Sequence, residues 1–196
     1  MGKGEKTRAL IVNKAFLLAT HTGFESLSLA ELAAEVRLTK GGLFSHFRSK
    51  EKLELEILEL ATQVFMETVI VPARAKPAGE ERLRELFDGD LRWLRGEGSR
   101  RTCLFTVLAQ EFHGKPGKVH DFLAAGQVRW RQGIAGFARE AIDVGYLKPD
   151  LDTAQFAFEF FGIGQAYQHC MVLLKDPDAP MRAYKSFESL LARSRA

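Results

Sequence analysis

The chain has 196 residues, of which 46% are hydrophobic and 27% charged, and no apolar run approaches the ~18–20 residues that span a bilayer. This composition excludes a disordered chain and a transmembrane one. The net charge of +3 is uneven, since the first 50 residues contain eight Lys/Arg against four Glu, which favours a polyanionic partner there.

Helical periodicity runs through the chain and strand-like alternation is absent, so the predicted fold class is all-α. A first helix is expected over about residues 6–21, and Gly23 is placed to end it. Ser28 and Thr39 are expected to cap a second helix and a short third one. Ser49 is expected to cap a fourth helix, which leads into the rest of the chain.

A larger helical bundle is predicted after this fourth helix. The stretch 71–80 contains two prolines and a glycine and is expected to be a linker. Five helices should follow, near residues 80–96, 100–113, 117–145, 151–174 and 179–194. We therefore expect two domains, a three-helix one at 1–50 and a helical bundle at 51–196, joined by a helix over 49–71.

The second and third helices have the spacing of a helix-turn-helix, with the turn at Arg37 and Leu38. The first residues of a recognition helix face the bases, and its free N–H groups favour phosphate. Gly41 and Gly42 lie at that end, where the absence of side chains lets the backbone approach DNA closely. Three apolar side chains are expected to hold this helix against the core, namely Leu43, Phe44 and Phe47.

The segment GFESLSLAELAAEVRLTKGGLFSHFRSKEKL, residues 23–53, resembles the DNA-binding domain of TetR/AcrR-type transcriptional regulators. The shared features are the S/T-h-x-x-h-A helix, the K-G-x-L-aromatic-x-H-F helix and the K-E-x-L start of the next helix, and the match runs from Leu10 to about Leu58. CLFTVLAQEF and AIDVGYLKPDLD resemble ligand-binding domains of the same family more loosely. The resemblance implies a two-fold dimer, usually a repressor, which leaves DNA when a small molecule binds.

The helix-turn-helix pattern and the resemblance together assign DNA contacts to nine residues, which are Ser28, Arg37, Thr39, Lys40, Gly41, Gly42, Ser45, His46 and Lys50. Two of them depart from the family pattern. Arg37 stands where glycine is usual, so it either strains the backbone by about 1 kcal/mol at positive φ or gains a phosphate contact. Ser45 stands where a larger side chain is common, and a short serine discriminates poorly between bases.

Polar side chains recur on one face of the otherwise apolar helix near 100–113, and they are Cys103, Thr106, Gln110 and His113. A few polar groups in an apolar wall are typical of a small-molecule cavity. Four further side chains are candidates for the same effector site, namely Trp93, Trp130, Phe161 and Gln165. The alternative is that these polar groups are satisfied internally and the aromatic residues belong to an ordinary core.

The segment EFFGIGQAYQHC introduces Gly162, Gly164 and Ala166 into a predicted helix. Each glycine costs about 1 kcal/mol relative to alanine, which close packing of another helix can offset. With the last helix, this segment predicts a four-helix homodimer interface. The alternative is close packing within one chain.

The predicted function is DNA-binding regulation of transcription, by a repressor that a small, largely apolar effector releases from a palindromic operator. Two alternatives stay open: a DNA-binding organiser without an effector, and a helical ligand-binding module that no longer binds DNA. No enzyme is expected, because Cys103 lacks an orienting third group and the histidines lack metal-binding spacing. The two cysteines form no CxxC pair and the N-terminus lacks a signal peptide's apolar core, so we expect a cytoplasmic protein without a metal or cofactor.

Overall fold

The computed structural model describes residues 2–96 and 102–196, and within these ranges it is helical without a β-strand. Its helices are α1 Lys3–Thr22, α2 Leu29–Glu35, α3 Lys40–His46, α4 Lys50–Phe65, α5 Val71–Arg74, α6 Glu80–Arg95, α7 Leu104–Glu111, α8 Lys118–Asp143, α9 Thr153–His169 and α10 Ala179–Ser194. Two π-helical turns, Met66–Ile70 and Cys170–Leu174, follow α4 and α9. The predicted all-α fold is confirmed. None of the described helices combines the length and apolarity that crossing a membrane requires.

The chain packs into two compact units. The first comprises Met1–Val64 and Gly98–Ala124, and the second comprises Phe65–Glu97 and Ala125–Ala196. The helix-turn-helix segment therefore shares a unit with α7 and the start of α8. The chain passes through the second unit in two separate stretches, so this unit is built from α5, α6, most of α8, α9 and α10.

Local hydrogen bonds account for where α1 ends and for where α2, α3 and α4 begin. Gly23 has a φ of 73° and its N–H donates to the carbonyl of Ala19, which ends α1. The side-chain oxygens of Ser28, Thr39 and Ser49 each accept the backbone N–H three residues further on, at 3.3, 3.0 and 3.1 Å. These predicted helix caps are confirmed.

The recognition helix α3 is fixed to the core by two side chains rather than three. Leu43 on α3 and Phe47, the extended residue that directly follows α3, are each 1% exposed. Phe44 is 39% exposed, so the expectation that it lies in the core is wrong. It lies about 100° around α3 from Leu43, on the side that faces away from the core.

The segment predicted as a linker is helical at its start, since α5 covers Val71–Arg74. Pro72 has no N–H to donate and its ring conflicts with the carbonyl four residues earlier in a regular α-helix. Here it follows a π-helical turn and occupies the first turn of α5, where an N–H is not needed. The prediction of a linker beginning at Val71 is therefore wrong for its first four residues.

Aromatic packing holds the second unit together. The rings of Phe87 and Phe187 are stacked with centroids 4.0 Å apart. The ring of Phe160 meets both edge-on, at 5.4 and 5.8 Å. This three-ring cluster joins α6, α9 and α10, and edge-to-face and offset pairs of this kind are favourable beyond the area they bury.

Candidate DNA-binding surface and effector-binding residues

Three cations lie at or beside the ends of α3 on the protein surface. Arg37, Lys40 and Arg48 are all exposed. Among the described residues, none of the three has a hydrogen bond or ion pair with another side chain. Their charges are therefore available to an external anion. Arg48 was not among the predicted contacts, although its position in the basic run FRSK was a signal for it.

Arg37 takes up the backbone conformation that its position requires. Its φ is 55°, in the left-handed region where glycine is usual. Its N–H donates to the carbonyl of Ala34, and the next N–H, of Leu38, donates to the carbonyl of Ala33. A non-glycine residue in this region costs roughly 1–2 kcal/mol. The turn of the helix-turn-helix thus carries backbone strain, and the guanidinium is left exposed.

The glycine-rich start of α3 is open to a partner. Gly41 is exposed and an added Cβ there would meet no atom within 4 Å. At Gly42, an added Cβ would lie 3.2 Å from the hydroxyl of Thr39 that caps the helix. The hydroxyl of Ser45 donates to the carbonyl of Gly42 at 2.7 Å, so it must rotate to meet a base. His46 is half-buried, and its carbonyl accepts a hydrogen bond from Arg8.

Lys50 is engaged within the first unit. Its Nζ donates to the carbonyl of Phe24 at 2.7 Å and lies 3.7 Å from the carboxylate of Glu54. Burial raises the pKa of Glu54, and the positive charge of Lys50 opposes that shift. Because the Lys50 side chain remains partly exposed, it stays a candidate for a phosphate contact. The nearby carboxylate of Glu54 partly neutralises its charge.

A carboxylate from α7 holds the loop that follows α1. The N–H groups of Phe24 and Glu25 donate to the two oxygens of Glu111 at 2.8 and 2.7 Å. Glu25 also forms an ion pair with Lys115, just beyond α7. A Cβ at Gly23 would collide with the Glu111 carboxylate, so glycine is required there both by its φ and by space. Sequence periodicity carried no signal for this contact, which joins residues 87 positions apart.

The predicted effector-binding residues are divided between the two units. In the first unit, Cys103 is buried, Thr106 is half-buried, and Gln110 and His113 are exposed. Helix α7 ends at Glu111, so His113 lies beyond it rather than on its face. The second unit contains the other four, of which Trp93 is buried and the rest are half-buried, namely Trp130, Phe161 and Gln165.

A buried acid in the second unit was missed by sequence analysis. Asp90 on α6 is 4% exposed. Burial raises the pKa of its carboxyl to about 7, and no hydrogen bond or charge from the described residues contributes to that shift. On α9, an added Cβ at Gly164 would lie 2.9 Å from Asp90 Oδ2. The available signal was that Asp90 interrupts the apolar face formed by Leu83, Leu86, Phe87 and Leu94.

The small residues of α9 divide between two environments. Gly164 is buried against Asp90 and Leu94 of α6, which matches the alternative of close packing within one chain. Gly162 and Ala166 are exposed instead. Exposed large apolar side chains accompany them on α9, the turn after it and α10, and these are Phe158, Leu173, Leu174, Met181 and Tyr184. An exposed apolar surface of this kind is typical of a protein–protein contact.

A capped helix-turn-helix with an open, cationic recognition helix, together with an aromatic helical unit, defines a class: transcriptional regulators with a DNA-binding and a ligand-binding domain. Comparison with known families agrees with this class. Residues 11–57 match the family described as bacterial regulatory proteins, tetR family. Residues 79–187 match the family described as tetracyclin repressor-like, C-terminal domain. The chain belongs to the TetR family, whose members are DNA-binding regulators and not enzymes.

Individual relatives are similar to this chain to different extents. The transcriptional regulator AcuR of Cereibacter sphaeroides is 29% identical over 150 residues, which cover 74% of this chain and 66% of that protein. The crystal structure of a TetR transcriptional regulator from Chloroflexus aurantiacus J-10-fl has a TM-score of 0.90 at 20% identity, covering 100% of this chain and 98% of that one. The structure of AibR with isovaleryl coenzyme A and operator DNA has a TM-score of 0.69 at 22% identity, covering 96% and 98%. At these identities the two structures show the fold alone.

Proposed function

We propose that this protein is a homodimeric repressor that binds a palindromic operator and is released by a small, largely apolar effector. The observation that carries the proposal is the exposed start of α3, where Gly41 leaves the backbone open and Arg37, Lys40 and Arg48 have no described intramolecular partner. Cations of this kind neutralise phosphates and release counterions, which supplies much of the affinity of DNA-binding proteins. Because the proposed target is chromosomal DNA, the protein acts in the cytoplasm.

The proposed contacts follow from how each side chain is held. Lys40, Arg48 and Arg37 bind phosphates. Gly41 and Gly42 let the helix start approach the groove, where Ser45 and His46 lie near base edges. Ser28 and Thr39 are already helix caps, so their contacts with phosphate are additional to that role. Exposed Phe44 lies one helical turn from Lys40 and supplies an apolar contact to a thymine methyl.

Release requires that the effector bind one state of the dimer more tightly than the other. Two recognition helices must be about 34 Å apart to enter successive major grooves. An effector that prefers a state with another separation lowers the population that binds the operator, and only this difference in affinity can do so. The complex of AibR with an acyl coenzyme A and operator DNA supports a small molecule and DNA as the two partners.

Selection from a random duplex pool, repeated at two salt concentrations, tests the proposal. We expect enrichment of one palindrome, with affinity that falls steeply as salt rises. The Lys40→Ala variant should lower the magnitude of the slope of log affinity against log salt by about 0.9 per chain, or about 1.8 for the dimer, whereas Arg131→Ala, an exposed cation of the second unit, should leave it unchanged. The absence of any enrichment, or binding that salt does not affect, would refute the recognition of a specific operator by this protein.

The two alternatives give other results in the same experiment. An organiser without an effector binds duplexes with a steep salt dependence but enriches no sequence. A ligand-binding module that no longer binds DNA enriches none and shows no salt dependence.

A further inference from the structure

The recognition helix α3 depends on tertiary contacts for its orientation. It has only seven residues, and Gly41 and Gly42 near its start weaken it further, so such a helix is not stable in isolation. The buried side chains that hold it, Leu43 and Phe47, lie in its second half and directly after its end. The direction of α3 within the first unit therefore depends on what contacts its C-terminal end.

Arg8 on α1 contacts this end of α3. Its Nη1 donates to the carbonyl of His46 at 2.6 Å, and the last carbonyls of a helix have no partner within the helix itself. The guanidinium also lies over the ring of Phe47, 4.7 Å from the ring centroid. A cation is favourable both at the C-terminal end of a helix and over an aromatic face. One side chain thus binds the last residue of α3 and covers the buried ring that follows it.

A carboxylate from α4 fixes the direction of this guanidinium. The Nε of Arg8 donates to Oε2 of Glu56 at 2.8 Å and its Nη2 donates to Oε1, so the pair is bidentate. The Glu56 side chain is 14% exposed, which limits its freedom to move. Because a guanidinium is planar and rigid, holding two of its nitrogens determines where the third one points. Arg8 and Glu56 therefore connect α1, the end of α3 and α4 through one rigid group.

Resting on the proposed function, we propose that Arg8 is a positioning residue for DNA recognition, which sets the angle of α3 and thereby the sequence specificity of the protein without contacting DNA itself. Specificity comes from contacts with base edges, and a change in the angle of the recognition helix misplaces them. Non-specific affinity comes from phosphate contacts and depends on the cations that are free to make them. The carboxylate of Glu56 already compensates the charge of Arg8.

Binding of the full-length protein to the selected operator and to a random duplex, each at two salt concentrations, tests this proposal. The quantity compared is the ratio of the two affinities, from which any difference in the amount of folded protein cancels. Arg8→Ala should lower this ratio by about tenfold or more, as the loss of base contacts does. Its affinity for the random duplex should change by less than about threefold, with the same salt slope. If Arg8 contacted phosphate directly, the magnitude of that slope would fall by about 1.8 for the dimer, and this result would overturn the proposal.

Further variants separate the geometry of Arg8 from its charge. Glu56→Gln removes the bidentate acceptor and should lower the ratio as Arg8→Ala does, although the two variants change the net charge in opposite directions. Arg8→Lys keeps the charge but lacks the planar fork, so it should not restore the ratio. Lys14→Ala is the matched control, because Lys14 is another cation of α1 that pairs with a carboxylate, that of Glu35 on α2 at 3.7 Å. A wild-type ratio in Glu56→Gln or in Arg8→Lys, or an equal loss in Lys14→Ala, contradicts a role for the geometry of Arg8.

Exchange of amide hydrogens in the absence of DNA separates this proposal from the proposed function. We expect Arg8→Ala to exchange faster at residues 43–47 and not over α2. If it does so and no operator is enriched for the wild type, Arg8 positions α3 and the repressor function is wrong. If the wild type selects an operator and Arg8→Ala keeps the same ratio, the function stands and the role of Arg8 is wrong. Exchange that becomes faster to the same extent over α1, α2, α3 and α4 would show an ion pair that only stabilises the first unit, and would also overturn the proposal.

Discussion

At the scale of single residues, Arg37 combines a backbone cost with an exposed charge. Its φ of 55° is the conformation that glycine adopts without strain. Arg37→Gly should therefore stabilise the first unit by about 1 kcal/mol. It should also remove one phosphate contact per chain, which lowers the magnitude of the salt slope of DNA binding by about 1.8 for the proposed dimer. Urea denaturation and DNA binding at several salt concentrations measure the two effects.

Arg37→Ala is the matched control for this prediction. Alanine keeps the strained φ and lacks the charge, so it should lower the salt slope as Arg37→Gly does without the gain in stability. If both variants bind DNA with an unchanged slope, Arg37 does not contact phosphate. If both are equally stable, the turn does not carry the strain that its φ indicates.

The burial of the Asp90 carboxyl should make the stability of the protein decrease as pH rises. Burial raises the pKa of its carboxyl to about 7, against about 3.9 in an unfolded chain. Between these two values the folded state binds more protons than the unfolded state, so the contribution of Asp90 to stability falls as pH rises from about 4 to 7 and then stays low. The total loss of stability over this range is about 4 kcal/mol, at 1.36 kcal/mol per pKa unit.

Thermal or urea unfolding at pH 5 and pH 8 measures this dependence. Asp90→Asn cannot ionise, so it should gain stability relative to the wild type at pH 8 and much less at pH 5. Asp88→Asn should follow the wild type at both pH values. A difference between Asp90→Asn and the wild type that does not change with pH would show that the Asp90 carboxyl does not titrate in this range.

At the scale of the elements, Glu111 makes α7 part of the support for the helix-turn-helix. Its carboxylate accepts the N–H groups of Phe24 and Glu25, and Phe24 also packs edge-on against Phe112 at a centroid distance of 6.2 Å. Glu111→Ala should destabilise the first unit by about 1–3 kcal/mol, because two amides lose a charged acceptor. Exchange of the amide hydrogens of residues 24 and 25 should become faster.

Glu25→Ala is the control, because it removes only the exposed ion pair with Lys115. Exposed ion pairs contribute little, and the change in stability should stay within about 0.5 kcal/mol. Equal effects of Glu111→Ala and Glu25→Ala would show that the carboxylate of Glu111 does not order this loop. If Glu111→Ala also weakens operator binding, the contact between α7 and the loop after α1 affects how the recognition helix binds DNA.

Some elements could be predicted from the sequence and others could not, and the difference has a physical reason. The caps at Ser28, Thr39 and Ser49 use hydrogen bonds that span three residues, so their patterns are local and were identified. The exposure of Phe44 depends on which side of a seven-residue helix meets the core, and periodicity over two turns does not determine it. The amides that donate to Glu111 and the glycine that faces Asp90 lie in distant parts of the chain, so no spacing along the sequence indicates these contacts.

At the scale of the whole molecule, the exposed apolar side chains of α9 and α10 are the proposed homodimer surface. Phe158, Gly162 and Ala166 follow one another at four-residue spacing on α9, and Met181 is exposed at the start of α10. The small residues allow the partner helix to approach, and the large ones supply the apolar area. A repressor that binds a palindrome needs a dimer surface, because each chain supplies one recognition helix.

Phe158→Asp should convert the dimer into a monomer, because it places a charge in an apolar interface without a partner. Val144→Asp is the control, since Val144 is also an exposed apolar residue of the second unit but lies in the turn directly after α8. Sedimentation should give one chain mass for Phe158→Asp and two for Val144→Asp. Loss of the second half-site should weaken operator binding by Phe158→Asp, while each chain keeps its salt-dependent binding to DNA. A Phe158→Asp protein that sediments as a dimer would place the interface elsewhere on the surface.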